Sequence, residues 1–213
     1  MGGGAAIVRR RSLSTAIVRH WGVGNMGAPL GKLRPVAGED GKNLLNVVVE
    51  TPKGQRNKFK FEPKLEVFTL SKVLPAGATF PFDFGFVPGT LADDGDPVDV
   101  LLLMDEPAFT GCLVRARLIG VIEAQQRESD GTVVENDRLI AVAGEAHDYA
   151  ELHSPDDLNP NLLKEYEHFF ASYHALNGTE FKVQGVGNRK QAKRLVKEAA
   201  RRAKKSRPQK QAS

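Results

Sequence analysis

The 213-residue chain has a single cysteine, Cys112, so no intrachain disulfide framework can form and a small, stapled secreted fold is excluded. That thiol lies in "GCLVRARLIG", an alternating apolar and basic run in which a small buried side chain is expected. No apolar stretch approaches the roughly 20 residues that a membrane-spanning helix needs. The N-terminus also lacks the continuous hydrophobic region of a signal peptide. A soluble, cytoplasmic protein with no membrane attachment is therefore expected. Acidic residues are missing from one region altogether: residues 1–38 hold six Lys or Arg and no Asp or Glu.

The opposite end is nearly as one-sided, with twelve Lys or Arg against Glu198 over residues 182–213. Since the formal net charge is only +4, the intervening residues 39–181 carry −13. An acidic body suits divalent cations, whereas basic ends suit a polyanion, an anionic surface or plain solvation. Three segments are expected: a basic, disordered leader over 1–38, a body over 39–188, and a basic helix and tail over 189–213. The leader's scattered Arg, Ser and Thr also resemble a mitochondrial presequence, which makes mitochondria the alternative location. Its "GNMGAPLGKL" fails as a phosphate loop, because Leu33 follows Gly31 and Lys32 where Ser or Thr is required.

With 41% hydrophobic residues the body can support one domain with a sizeable core. Strand signals fill its first two thirds: "NLLNVVVE", "NKFKF", "LEVFTL", "TFPFDFGFV", "VDVLLL", "CLVRARLIGVIEA" and "VVENDRLIAVA". Many short strands with no helical period between them predict an antiparallel sheet closing toward a barrel. Alternation puts Lys58 and Lys60 on one face and Phe59 and Phe61 on the other. It also lines up Phe80, Phe82, Phe84 and Phe86 as barrel filling. A helix is predicted from Pro160, capped by Asn159, with Leu162, Leu163, Tyr166, Phe169, Phe170 and Tyr173 on one stripe. A second helix carries a thin apolar face of Ala192, Leu195, Val196, Ala199 and Ala203, and is expected to dock lightly. His147, His153 and His168 lack metal-ligand spacing and read as surface residues.

The chemistry concentrates in "FPFDFGFVPGTLADDGDPVDVLLL", where Asp93, Asp94, Asp96 and Asp99 interrupt a β-run. Packed carboxylates repel, so a cation, a proton or full hydration must offset them. An EF-hand is excluded, since counting from Asp94 puts Asp99 where glycine is required and Asp105 where glutamate is. A hydrated acidic turn and a metal site both remain open on spacing alone. Asp93 is expected to face water.

This segment, with its aromatic strand leading into D-G-D-P-x-D, closely resembles the signature of the soluble family I inorganic pyrophosphatases. The resemblance runs more loosely from about Leu44 to about Gly185. It implies an α+β fold built on an OB-like closed antiparallel β-barrel with flanking helices, dependence on Mg2+, and hydrolysis of inorganic pyrophosphate to two phosphates, in a homo-oligomer. By similarity Asp94 and Asp99 are metal ligands, Asp96 is a ligand and the catalytic base, and Glu50 contacts metal through water. Lys58, Lys72, Arg138 and Tyr173 match phosphate-binding positions. The chain departs from the usual pattern at Lys60 (for Glu), Lys72 (for Arg), Phe84 (for Tyr), His174 (for Lys) and Asn136 (for Asp). Lys60 is then read as a further substrate-binding cation. Asp137 is the expected replacement ligand for Asn136, with Glu135 and Asp130 as other candidates. The alternative function is a catalytically impaired pyrophosphatase-like protein that attaches to RNA or an acidic assembly through its basic ends.

Overall fold

Alternating and β-branched runs, punctuated by Pro, Gly and Asp turns, form nine strands in the computed structural model, which describes residues 30–37, 44–176 and 178–206. These are β1 (Leu45–Thr51), β2 (Asn57–Glu62), β3 (Val67–Val73), β4 (Asp83–Phe86), β5 (Asp99–Leu103), β6 (Leu113–Arg127), β7 (Val133–Glu135), β8 (Arg138–Ala143) and β9 (Glu180–Asn188). Two helices accompany them, α1 (Pro160–Ala175) and α2 (Arg189–Ser206). Most of the expected leader and the tail from residue 207 lie outside the described residues. Residues 30–37, within that leader, are tied to the body: Asn46 N–H donates to the Pro35 carbonyl at 2.8 Å and Val36 bridges Leu45.

Hydrogen-bonded pairing runs β1–β4–β5–β8–β6 and returns from β6 to β1, a ring of neighbours, with β7 and β9 also on β6. β2 and β3 form a separate two-stranded sheet. The sheet is mixed, which corrects the expected wholly antiparallel arrangement: β5 and β8 run parallel, with Asp99 opposite Arg138. Parallel neighbours need a crossover, and the β6–β7 excursion supplies it. The "VVENDRLIAVA" run is likewise two strands, broken at Asn136 and Asp137.

Because successive strand side chains face opposite ways, the same strands serve two cores. One gathers Val47, Val49, Val100, Leu102, Leu139 and Ala141 with α2. The other takes the intervening Leu101, Leu103, Ile140 and Val142 with α1. Phe80, Phe82 and Phe84 belong to this second core, so the aromatic run seats helix α1. Phe80 meets Phe169 at 5.1 Å between centroids and Phe84 meets Phe170 at 5.8 Å. Each such buried ring contributes about 1.5–3 kcal/mol.

The α1 cap forms as the sequence predicts, with the Asn159 side chain accepting Asn161 N–H at 3.0 Å. Helix α2 docks more firmly than expected, since Ala192 and Ala199 have no exposed surface. Small alanines let its backbone approach the sheet. Arg202 donates to the Leu91 carbonyl at 2.8 Å and pairs with Asp93 at 3.2 Å, so Asp93 is exposed yet engaged. At Gly85 a Cβ would run into the Val48 carbonyl, which fixes glycine where β4 crosses β1. Among the described residues no helix is long and apolar enough to cross a membrane.

Candidate active site

The mouth of the ring opens into a cleft of about 610 Å³. Glu50, Lys58, Lys60, Lys72, Asp94, Asp96, Asp99, Arg138 and Tyr173 all line it. These residues come from β1, β2, β3, the acidic turn, β5, β8 and α1, so the fold brings together side chains spread over more than half the chain. Local bonds explain their placement. Thr51 Oγ1 accepts Phe59 N–H at 3.0 Å and Glu50 accepts Phe61 N–H at 2.7 Å, holding β2 against β1. A bulge between Lys58 and Phe59 modifies the simple alternation, and Phe61 shares the cleft with both lysines. In the acidic turn Asp94 Oδ1 accepts Asp96 N–H at 3.0 Å, while Gly95 takes φ 90°, a conformation that a side chain would strain.

Arg138 is the most enclosed cation of the cleft, 3% exposed. Its guanidinium lies 4.3 Å from the centroids of both Phe170 and Phe181, a double cation–π contact. Its Nη1 donates to the Asn136 carbonyl at 3.1 Å, and its Nε stands 3.7 Å from Asp99 without a hydrogen bond. Lys60 pairs with Asp96 at 2.8 Å. Lys58 donates to the Tyr173 hydroxyl at 3.3 Å and, like Lys72, lies over the Tyr173 ring.

Burial pushes the Glu50 carboxyl up to about 7, with the Asp99 charge adding to it and Phe61 N–H, Lys58 and Lys60 pulling it back. Burial likewise raises Asp99 to about 6, against Arg138 and Lys58. His174 is driven down to about 3 by burial and then by Arg138, Lys58 and Lys72, so its ring is neutral near pH 7. The Thr179 hydroxyl donates to the His174 carbonyl at 3.1 Å and stands 3.1 Å from Nδ1. Nδ1–H therefore donates to that oxygen, which leaves Nε2 as an acceptor 3.5 Å from Arg138 Nη2.

Asp137 does not line the cleft, which corrects its expected place there. Where the β-run breaks, its carboxylate accepts Ala124 N–H at 3.0 Å while Asn136 N–H donates to the Ala124 carbonyl at 2.8 Å. The Asp137 side chain thus completes the ladder, and Asn136 turns to the cleft. Asp130 closes a turn on Thr132 and Glu135 accepts from Gln125, so neither replaces it. Sequence reasoning missed Gln126 and Glu128, which also line the cleft: Asn136 donates to Gln126 at 2.6 Å, and Gln126 to Glu128 at 2.6 Å. Their only signal is the spacing of two at the end of β6, Gln126 on the strand and Glu128 just beyond it.

Glu50, Glu62, Asp94, Asp96, Asp99 and Glu128 line the cleft together with Lys58, Lys60, Lys72 and Arg138, an excess of two negative charges when every carboxylate is ionised. Among the described residues no three His, Cys, Asp or Glu side chains stand arranged to hold a metal ion. The donors nevertheless suit one in kind: they are hard carboxylate oxygens, and the raised Glu50 and Asp99 show that nearby cations do not fully offset their burial.

A family model described as inorganic pyrophosphatase matches residues 47–204. The inorganic pyrophosphatase of Nostoc sp. is 39% identical over 153 residues, 72% of this chain and 88% of the relative. Soluble inorganic pyrophosphatase 2 of Chlamydomonas reinhardtii is 33% identical over 177 residues, 83% of this chain and 88% of the relative. The crystal structure of inorganic pyrophosphatase from Thermus thermophilus superposes with a TM-score of 0.74 at 33% identity, covering 83% of this chain and 99% of that one.

Proposed function

The chain belongs to the inorganic pyrophosphatase family, and from that premise we infer how its cleft works. The protein is a hydrolase that splits inorganic pyrophosphate into two phosphates. Water adds to one phosphorus, the bridging P–O bond breaks, and the water's proton is taken up by the protein. The observation that carries the assignment of roles is the convergence of four carboxylates, Glu50, Asp94, Asp96 and Asp99, and four cations, Lys58, Lys60, Lys72 and Arg138, on one cleft.

Pyrophosphate repels any anionic nucleophile, so the site has to neutralise the substrate and activate water together. Asp96 is assigned as the base that orients the attacking water and accepts its proton. Its pairing with Lys60 is compatible with this role, because Lys60 is 48% exposed and can transfer to an incoming phosphate oxygen. Lys58, Lys72 and the Tyr173 hydroxyl hold one phosphate. Arg138, fixed between two rings, presents a rigid guanidinium to the substrate. Asp94, Asp96 and Asp99 are the residues that would hold Mg2+, with Glu50 contacting it through water, and Mg2+ held there would supply the Lewis acidity that acidifies water and offsets phosphate charge. Asp137 is left out of this set.

The finer architecture assigned is a closed OB-like barrel, supported by the ring of strand pairings. Self-association is assigned too, supported by exposed Leu65, Val67, Leu70, Val73 and Phe109 on and near β3. The cytoplasm is the assigned location. The alternative of an impaired binding protein has less support, because α2 contributes its apolar stripe to the core. Phosphate release from pyrophosphate with Mg2+, and its loss with EDTA, is expected. No release above background with Mg2+ or Mn2+ would refute the reading.

A further inference from the structure

We propose that Lys60 is a built-in cation occupying charge space that a second divalent ion would otherwise fill, so the resting cleft takes up one divalent ion per chain. The inference deepens the pyrophosphatase reading and rests on it. The Lys60 ammonium stands 2.8 Å from Asp96 Oδ2, on the central acid of the D-G-D-P-V-D turn. Arg138 Nε stands 3.7 Å from Asp99. Two of the three aspartates that converge on the cleft therefore already have a side-chain cation within 3.7 Å, whereas Arg138 and Lys60 act on Asp94 through their charge alone.

The charge balance points the same way. With every carboxylate ionised, which for Glu50 requires a pH above about 7, six carboxylates and four cations line the cleft and His174 is neutral, so two negative charges remain. One divalent ion cancels that excess; a second would leave the resting cleft positive. With a carboxylate in place of Lys60 the excess would double, which is the charge of two such ions. The β6 and β8 side of the lining adds little to help a second ion. Asn136 and Gln126 are neutral amides, the Glu128 carboxylate accepts from Gln126, and Asp137 is engaged by Ala124 N–H.

Competition of an ammonium with a divalent ion for one carboxylate is a direct electrostatic trade. Because the Lys60–Asp96 pair is half exposed, the effect on affinity is discounted to roughly tenfold. The test uses the full chain stripped with EDTA and titrated with Mn2+ without pyrophosphate, free Mn2+ being read by electron paramagnetic resonance. Wild type is expected to take up about one ion tightly and Lys60→Glu about two. Lys60→Gln, which removes the ammonium without adding a ligand, is expected to bind its first ion roughly tenfold more tightly than wild type. Circular dichroism checks that both variants are folded, as the exposure of Lys60 leads one to expect. Two or more equally tight ions on wild type, with the number unchanged in Lys60→Glu, overturn the proposal. Phosphate release measured in parallel keeps the two readings apart. Hydrolysis by a wild type that binds two ions refutes only the role of Lys60, whereas absence of hydrolysis refutes the functional reading whatever the ion count.

Discussion

Glu50→Gln should stabilise the metal-free protein at alkaline pH, an unusual outcome for a change in an enzyme cleft. Glu50 is 7% exposed, and burial carries its carboxyl from 4.5 to about 7. Between those values the folded chain holds a proton that the unfolded chain has released. Stability contributed by this group is therefore full below pH 4.5, falls as pH rises, and is wholly lost above about 7. At about 1.4 kcal/mol per unit, the penalty at pH 8 is about 3 kcal/mol. Glutamine keeps an Oε1 to accept Phe61 N–H, the bond that fixes β2, and carries no charge to desolvate. The variant should then match wild type near pH 4.5 and exceed it by up to about 3 kcal/mol at pH 8, or roughly 5–10 °C in Tm for a chain of this size. Thermal denaturation in EDTA across that range reads the gap. His174 contributes the opposite slope, losing stability as pH falls below 6.5 toward about 3, and Asp99 adds a slope of the same sign as Glu50. The His174 term is common to the two proteins, whereas the Asp99 charge adds to the Glu50 shift, so the difference reads Glu50 together with its repulsion from Asp99. A gap that does not widen with pH would refute the reasoning, and added Mg2+ should narrow it by favouring ionised wild type.

Three further outcomes follow from the geometry. Tyr173→Phe removes the hydroxyl that accepts from Lys58 and should raise KM for pyrophosphate roughly three- to tenfold with little change in kcat, as steady-state kinetics would show. Arg138→Lys loses both the planar stack on Phe170 and Phe181 and the donor to the Asn136 carbonyl, and kcat/KM should fall by roughly 10- to 100-fold. Wild-type kinetics in that variant would show that the sandwich is dispensable. Gly85→Ala places a Cβ against the Val48 carbonyl and should cost about 3 kcal/mol or prevent folding, seen as a lowered denaturation midpoint or insoluble protein.

Features set within a few residues could be read from the chain. The cap at Asn159, the α1 stripe, and the convergence of Asp94, Asp96 and Asp99 depend on local spacing, and the structure has them. What depended on distant partners was hidden. The parallel register of β5 and β8 is a pairing of segments far apart in sequence, and nothing in "VDVLLL" encodes its direction. Asn136 and Asp137 are adjacent polar residues. Which of them faces the cleft is decided by Ala124 on β6, whose N–H engages Asp137. Gln126 and Glu128 matter only because β6 passes the cleft, and the Lys60–Asp96 pair spans 36 positions. The aromatic run was legible as buried, but the face it would occupy depended on where α1 would lie.

The most direct measurement is phosphate release from pyrophosphate with Mg2+ by wild type and Asp96→Asn side by side, with pyrophosphate binding followed by calorimetry. If Asp96 is the base, wild type releases phosphate, and the variant binds pyrophosphate yet turns it over at least about a hundredfold more slowly. A variant that hydrolyses at the wild-type rate, or a wild type that releases no phosphate, would contradict the account.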